Sequence, residues 1–132
     1  MSFEAINPES LGAPKGWTNG MLAPAGGRLL FVAGQTARGA DGRIVAGGFV
    51  AQWERALENV LAVVRQAGGG PESIGRMTAY VTDLPQYRAS LGALGEAWRR
   101  HMGRHYPAMT LVEVAGLVDE GAVVELEATA VI

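Results

Sequence analysis

Two segments near the end of the chain alternate apolar and polar residues with a period of two, which is typical of half-buried strands. They span residues 109–115 and 123–132. In the second segment Glu125 and Glu127 share one side of the strand, since alternate residues point the same way. The opposite side is apolar and consists of Val124, Leu126, Ala128, Ala130 and Ile132. The pattern therefore predicts a sheet that buries one face and carries two carboxylates on the other.

Helical periodicity occurs twice upstream. Apolar residues recur at helical spacing over 48–67, and that helix ends at a glycine triplet. A second helix is predicted from Asp83, which can cap its N-terminus, to about Gly103. Shorter strand patterns cover 3–6, 17–23, 28–34 and 76–82. The 17–23 and 28–34 strands flank Pro24-Ala25-Gly26-Gly27, which suggests that they form a hairpin.

This order of elements predicts an α+β two-layer sandwich, in which two helices pack on one face of a mixed β-sheet. The other face of the sheet would be uncovered. We expect it to include Leu29, Phe31 and Ala33, or the residues that alternate with them, together with Met109 and Leu111. Such an apolar patch is larger than monomers usually expose, so burial against other copies in a closed ring is expected.

Composition narrows the possible chemistry. The 132 residues are expected to form one domain, 1–132, with a net charge of −2 and scattered basic residues, which disfavours nucleic-acid binding. No cysteine is present, which excludes a thiol nucleophile, a disulfide and a thiolate zinc site. No run of about 18 apolar residues occurs. We therefore expect a cytoplasmic protein without membrane association, and we expect neither a metal nor a cofactor.

The carboxylates of the last strand allow two interpretations. Glu125 and Glu127 can belong to a solvated sheet face, because acidic residues are mostly exposed. Alternatively, one of them acts on a substrate, since a rigid strand can hold a general base or a water-positioning group in place. Glu113 repeats the pattern beside Met109 and Leu111, which favours a cleft or subunit interface.

Five motifs together carry a family resemblance: VAGQ (32–35), ALENVLAVVRQAGG (56–69), YVTDL (80–84), YPA (106–108) with VEV after it, and VELEA (124–128). In these motifs the chain resembles the RidA/YjgF-type reactive-intermediate deaminases, formerly called L-PSP endoribonucleases or translation inhibitors. The resemblance implies a chorismate-mutase-like fold and a homotrimer. It also implies a small-molecule ligand in each cleft between subunits, and no cofactor.

The same resemblance assigns site residues. Glu125 matches a family glutamate and is the implied catalytic residue. The implied substrate-binding positions are Trp17, Ala33, Gly34, Ala108, Met109 and Leu111. In the archetype an arginine follows the aromatic-Pro-Ala motif and holds the substrate carboxylate, but here that position is Met109, whose thioether cannot replace a guanidinium. The cleft is therefore expected to be more apolar than the archetype's.

Two functions remain open at this point. The chain can be a hydrolase that converts imines, enamines or related small carbonyl compounds to ketone and ammonia, with Glu125 orienting water. A displaced cation would then replace the family arginine, and the candidates are Arg28, Arg38, Arg76 and Arg104. Alternatively, it is a non-catalytic trimeric metabolite-binding or regulatory protein that uses the same cleft. RNA cleavage is disfavoured by the acidic chain.

Overall fold

The computed structural model describes residues 2–132 and places a four-stranded mixed sheet at the centre of the chain. In chain order the elements are strands β1 (Glu4–Ile6), β2 (Gly20–Leu22) and β3 (Leu29–Gln35), helix α1 (Gly48–Gln66), strand β4 (Ile74–Val81), helices α2 (Leu84–Ala89) and α3 (Leu91–Met102), and strands β5 (Ala108–Glu113) and β6 (Val124–Val131). The sheet order is β3-β6-β4-β5. Strand β6 runs antiparallel to both neighbours, whereas β4 and β5 are parallel.

The helices pack on one face of this sheet, which confirms the predicted α+β class with a mixed sheet. Along β6, buried residues alternate with half-buried ones, as the period-two pattern indicated. Helix α1 contacts β6 and β3 and buries Leu57, Val60 and Leu61 completely. Each such side chain contributes about 1.5–3 kcal/mol through burial. The core therefore lies between α1 and the centre of the sheet.

The opposite face of the sheet is uncovered in the single chain. Leu29 and Phe31 are 64% and 75% exposed there, so these residues, and not the ones that alternate with them, lie on the open face. Met109 and Leu111 were predicted on the same face, and that prediction is wrong. They pair in register with the buried Met77 and Ala79 of β4, and paired residues of neighbouring strands point to the same side. Met109 and Leu111 therefore face the helices.

The predicted hairpin between residues 17–23 and 28–34 is also wrong. Strand β2 pairs with β1 in a separate two-stranded sheet, while β3 pairs with β6 at one edge of the central sheet. Local turn residues suggested the hairpin, but β3 gains a long antiparallel ladder with β6 instead.

The single second helix predicted from Asp83 to Gly103 is two helices. Asp83 does cap α2, since its carboxylate accepts a hydrogen bond from the Gln86 backbone N–H at 3.0 Å. The helix breaks at Ser90, whose φ of −109° and ψ of 10° are not helical. Its hydroxyl donates to the Gln86 carbonyl at 2.8 Å, a back-bond that is known to bend helices.

Among residues 2–132, no helix is long and apolar enough to cross a membrane.

The N-terminal segment packs on the central sheet at a glycine. Gly75 is buried in β4, and a Cβ built on it would lie 2.5 Å from Cε1 of Phe3. We predict that Gly75→Ala displaces the Phe3 ring and lowers the free energy of unfolding by about 1–3 kcal/mol, the usual cost of overpacking.

The matched control is Gly92→Ala in α3, where a new Cβ would meet no atom within 4 Å. There the change should raise stability by up to about 1 kcal/mol, because alanine is the better helix former. Urea denaturation of both variants measures the two effects. A Gly75→Ala protein as stable as the unmodified one would contradict the packing described for Phe3.

Candidate functional site

A cleft of about 520 Å³ opens on the helix side of the sheet, beside the edge strand β5. Met109 and Leu111 form part of its floor because both project from β5 toward the helices. Trp17 lies at the same cleft, because the next residue, Thr18, forms a parallel bridge with Ala108 at the start of β5. Three predicted binding positions are therefore together in this cleft.

Aromatic side chains make up much of the cleft wall. Trp98 and Tyr106 are stacked, with ring centroids 6.3 Å apart and an interplanar angle of 3°. The Trp98 indole N–H donates to the His105 carbonyl at 3.1 Å, which fixes the ring against the segment that leads into β5. Trp53 and Tyr87 form a second pair, with centroids 6.0 Å apart. The wall is therefore held in place by contacts within the chain.

Several residues of this cleft were missed by the sequence interpretation. The cations that line it are Lys15 and Arg99, and none of the four arginines named above as displaced cations does so. Arg38 instead pairs with Asp119 at 2.9 Å, which holds the loop after β3. Trp98 belongs to the buried side of α3. Its neighbour Arg99 gave no separate signal, because a basic residue on an amphipathic helix is ordinarily solvated.

The predicted catalytic residue, Glu125, lies on the open face of the sheet and not in this cleft. It is half-buried on β6 and makes no hydrogen bond to any of residues 2–132 at 3.5 Å or less. Its carboxylate packs over Gly34, where a Cβ would lie 2.9 Å from Glu125 Cδ. The ladder between β3 and β6 is irregular between Val32 and Gln35, so Gly34 sits at a local break in pairing. Because glycine has no side chain, the Glu125 carboxylate can lie against the backbone at position 34.

The two remaining predicted positions also belong to the open side. Ala33 is exposed on β3 next to Gly34. Ala108 is half-buried and pairs in register with Arg76, an exposed residue of β4. The seven predicted residues therefore fall into two groups on opposite faces of one sheet. A single chain does not bring them together.

A second carboxylate on the open face has a partner. Glu127 accepts a hydrogen bond from the Tyr80 hydroxyl at 3.0 Å, across neighbouring strands. This hydrogen bond is the main reason why the pKa of Tyr80 is raised, with desolvation and the negative charges of Glu127 and Glu125 adding to it. The carboxylate of Glu127 is therefore engaged by the Tyr80 hydroxyl, whereas the carboxylate of Glu125 has no hydrogen-bond partner within residues 2–132.

The other acidic candidate, Glu113, has a structural position. It pairs in register with the buried Val81, and its carboxylate accepts a hydrogen bond from the Leu84 backbone N–H at 2.9 Å, at the start of α2. An acceptor at this place satisfies one of the free N–H groups of a helix N-terminus. Its link to a cleft or subunit interface stays a prediction.

Within residues 2–132, one group of side chains has the spacing of metal ligands: Glu54, Glu58 and His101, on the outer surfaces of α1 and α3. Arg100 already binds Glu54 at 2.7 Å, and His101 lies 3.0 Å from the same oxygen. The hydrogen bond from Arg100 is the main cause of the lowered pKa of Glu54. The group therefore acts as an ion-pair link between two helices.

The sequence profile of the family described as Endoribonuclease L-PSP matches residues 10–132. The chain belongs to this family, also known as RidA/YjgF. A RutC family protein of Pyrococcus abyssi is 31% identical over 105 residues, which are 79% of each protein. A protein of Capra hircus named 2-iminobutanoate/2-iminopropanoate deaminase is 28% identical over 105 residues, 79% of this chain and 73% of that protein.

A solved structure gives the same assignment for the fold. The Rid family protein YyfB of Yersinia pestis superposes with a TM-score of 0.86 at 31% identity, and the match covers 100% of both chains. The RidA/YjgF membership predicted from the five motifs is thus confirmed, and so is the fold of the family.

The hydrogen bond between Tyr80 and Glu127 predicts a pH effect. Because the raised pKa favours the neutral phenol in the folded state, the bond stabilises the protein fully below the ordinary tyrosine pKa of about 10. That stabilisation is lost as the pH rises through the raised value. Ultraviolet titration of the phenolates should show one tyrosine ionising late.

Glu127→Gln should bring that late ionisation back toward the ordinary range, while Tyr80→Phe should remove it. Glu72→Gln, an exposed change outside the sheet, serves as the control. If all tyrosines ionised together in the unmodified folded protein, the hydrogen bond would be absent in solution.

Proposed function

We propose that this RidA/YjgF protein hydrolyses imines or enamines, with the reaction taking place where the cleft of one chain meets Glu125 of another. The observation that carries the proposal is the division of the site between the two faces of the sheet. Trp17, Met109 and Leu111 line the helix-side cleft, whereas Glu125 and Gly34 lie on the open face. Only a second copy can place the two groups side by side.

The open face has the character of a contact surface. Leu29 and Phe31 are more than half exposed on β3, and large apolar side chains on a sheet face favour burial against another protein surface. We infer a closed homotrimer, in which the open face of each chain packs against its neighbours. The three copies then contain three equivalent clefts.

The chemistry assigned to Glu125 is that of a general base. In a protonated imine, the carbon attached to nitrogen is electrophilic. Water attacks that carbon, a C–O bond forms, one water proton passes to Glu125, and the C=N π electrons become the lone pair of an amino group. A half-buried carboxylate with no protein partner is free to hold this water.

The second half of the reaction returns that proton. Glu125 protonates the amino nitrogen, the C–N bond breaks with its electron pair on the departing ammonia, and the remaining hydroxyl passes its proton to that ammonia as the carbonyl forms. One iminium ion and one water thus give one ketone and one ammonium ion. No cofactor enters the balance.

Backbone groups of Gly34 and Ala108 are proposed to contact the substrate.

The alternative function is binding without catalysis, and Met109 is the observation that favours it. A thioether at this position cannot hold a carboxylate by paired hydrogen bonds, so the chain has lost the contact that the family resemblance implies. A trimeric metabolite-binding or regulatory protein would use the same cleft. The two functions differ in whether Glu125 changes the rate of a reaction.

The direct test measures ammonia and keto-acid release from freshly generated imines of several amino acids. We expect activity in the unmodified protein and a loss of about 100-fold or more in Glu125→Gln, the scale of a lost general base. Glu120→Gln, a change at an exposed turn before β6, is the control and should leave the rate unchanged. Unchanged turnover in Glu125→Gln would refute the role of this carboxylate.

Met109→Arg separates the two functions. If the unmodified protein is inactive and Met109→Arg acquires activity that depends on Glu125, the scaffold is competent but the natural protein serves as a binder. If neither protein releases ammonia while a ligand binds in the cleft, binding without catalysis is the function.

Assembly has its own test. The unmodified protein should sediment near 41 kDa, three times the 13.8 kDa of one chain. Phe31→Asp should shift the mass toward one chain, because it places a charge on the exposed apolar face. Val118→Asp, at an almost fully exposed residue outside the sheet, is the control. A single-chain mass for the unmodified protein would exclude a site shared between copies.

A further inference from the structure

The helix-side cleft carries a positive charge. Lys15 and Arg99 are among its lining residues, and no aspartate or glutamate is. Among residues 2–132, neither cation lies within 4.0 Å of a carboxylate oxygen. Elsewhere on the surface, Arg38 and Arg100 are neutralised by Asp119 and Glu54. The cleft therefore favours an anion.

The position of Arg99 follows from the sequence of α3. Residues four apart lie on one side of a helix, and a long side chain leans toward the helix N-terminus. Gly95 is four residues earlier, and a Cβ built on it would lie 3.5 Å from Arg99 Nη1. The guanidinium thus lies over a position without a side chain, and both residues line the cleft.

The remaining surface of the cleft is rich in aromatic side chains. All three tryptophans of the chain line it, together with Tyr87 and Tyr106. Trp17 is 51% exposed, an unusual exposure for so large an apolar ring. An aromatic ligand would cover it and gain stacking of about 0.5–1.5 kcal/mol beyond area burial. A volume of about 520 Å³ lies within the usual range for small-molecule sites.

We propose that the cleft binds a carboxylate that carries a planar aromatic ring, with the ring against Trp17 and the other aromatic side chains and the carboxylate paired with Arg99, assisted by Lys15. Arg99 then supplies from α3 the cation that position 109 of β5 lacks. As a statement about substrate, this rests on the proposed function: the imines hydrolysed would be those of aromatic amino acids. As a statement about binding, it stands without catalysis.

The test uses freshly dissolved phenylpyruvate, a 2-oxo acid that carries a phenyl ring, as the probe. Its binding to the full-length protein is measured by isothermal titration calorimetry. Phenylacetone has the same ring without the carboxylate, and 2-oxobutanoate has the carboxylate without the ring. We expect phenylpyruvate to bind at least tenfold more tightly than either compound, since both the cations and the aromatic side chains of the cleft contribute to its affinity.

Two variants locate the contacts. Arg99→Gln should weaken phenylpyruvate binding about tenfold or more and leave phenylacetone unaffected, because only a charged hydrogen bond is lost. Trp17→Ala should weaken the binding of both phenylpyruvate and phenylacetone. Both residues are exposed, so neither change threatens the fold. Arg65→Gln, at an exposed arginine at the end of α1, is the control for net charge and should bind as the unmodified protein does.

Equal binding by Arg99→Gln and the unmodified protein would refute Arg99 as the anchor. Absence of phenylpyruvate binding in the assembled protein would refute the aromatic ligand class and leave the cleft as a contact between copies. The two proposals also fail separately. Turnover of aliphatic imines without aromatic binding would overturn this inference alone, whereas phenylpyruvate binding that persists in an inactive protein would overturn the proposed hydrolysis alone.

Discussion

Strand β6 constrains the rest of the structure, because its alternating side chains must satisfy two environments at once. One side is buried beneath α1, and the other side holds Glu125 and Glu127. With β3 and β4 hydrogen-bonded to its two edges, the strand cannot rotate or shift by one residue without moving the carboxylates into the core. A charged group there would be desolvated without a partner, at a large cost. The core packing thus fixes where the carboxylates point.

The same constraint explains why the cleft forms where it does. Strand β5 is parallel to β4 and lies at the edge of the sheet, so its inward side chains extend beyond the area that α1 covers. Helix α3 and the residues around Trp17 cover the inward side of β5 only in part, and the cleft is the space that remains. Because the wall consists of tryptophan and tyrosine rings fixed by stacking and by the Trp98 hydrogen bond, the cleft is formed before any ligand arrives.

Local patterns in the sequence predicted β6, α1 and the Asp83 cap correctly, since each depends on periodicity or on a contact within a few residues. The pairing of β3 was not predictable in this way. Its partner is about 100 residues away, and the nearby turn residues pointed to a hairpin instead. The break at Ser90 was missed because a serine inside a helical pattern can bond either to solvent or to its own backbone.

The site was predictable only in part. The family resemblance selected residues from both faces of the sheet, but their division between two faces depends on the β4–β5 register, which periodicity does not reveal. Met109 and Leu111 were assigned to the wrong side for that reason. The place of Arg99 in the cleft was overlooked because it depends on three-dimensional neighbours, Gly95 and the aromatic wall, and not on any motif.

The separation of the two groups by the thickness of a sheet has an evolutionary consequence. Residues of the helix-side cleft can be exchanged without disturbing the side chains of the open face, since the backbone of the sheet lies between them. Selection can therefore alter what a chain of this fold recognises while the Glu125 environment, including Gly34 at its break in pairing, stays intact. Position 109 is on the helix side, so an exchange there would leave the open face unchanged.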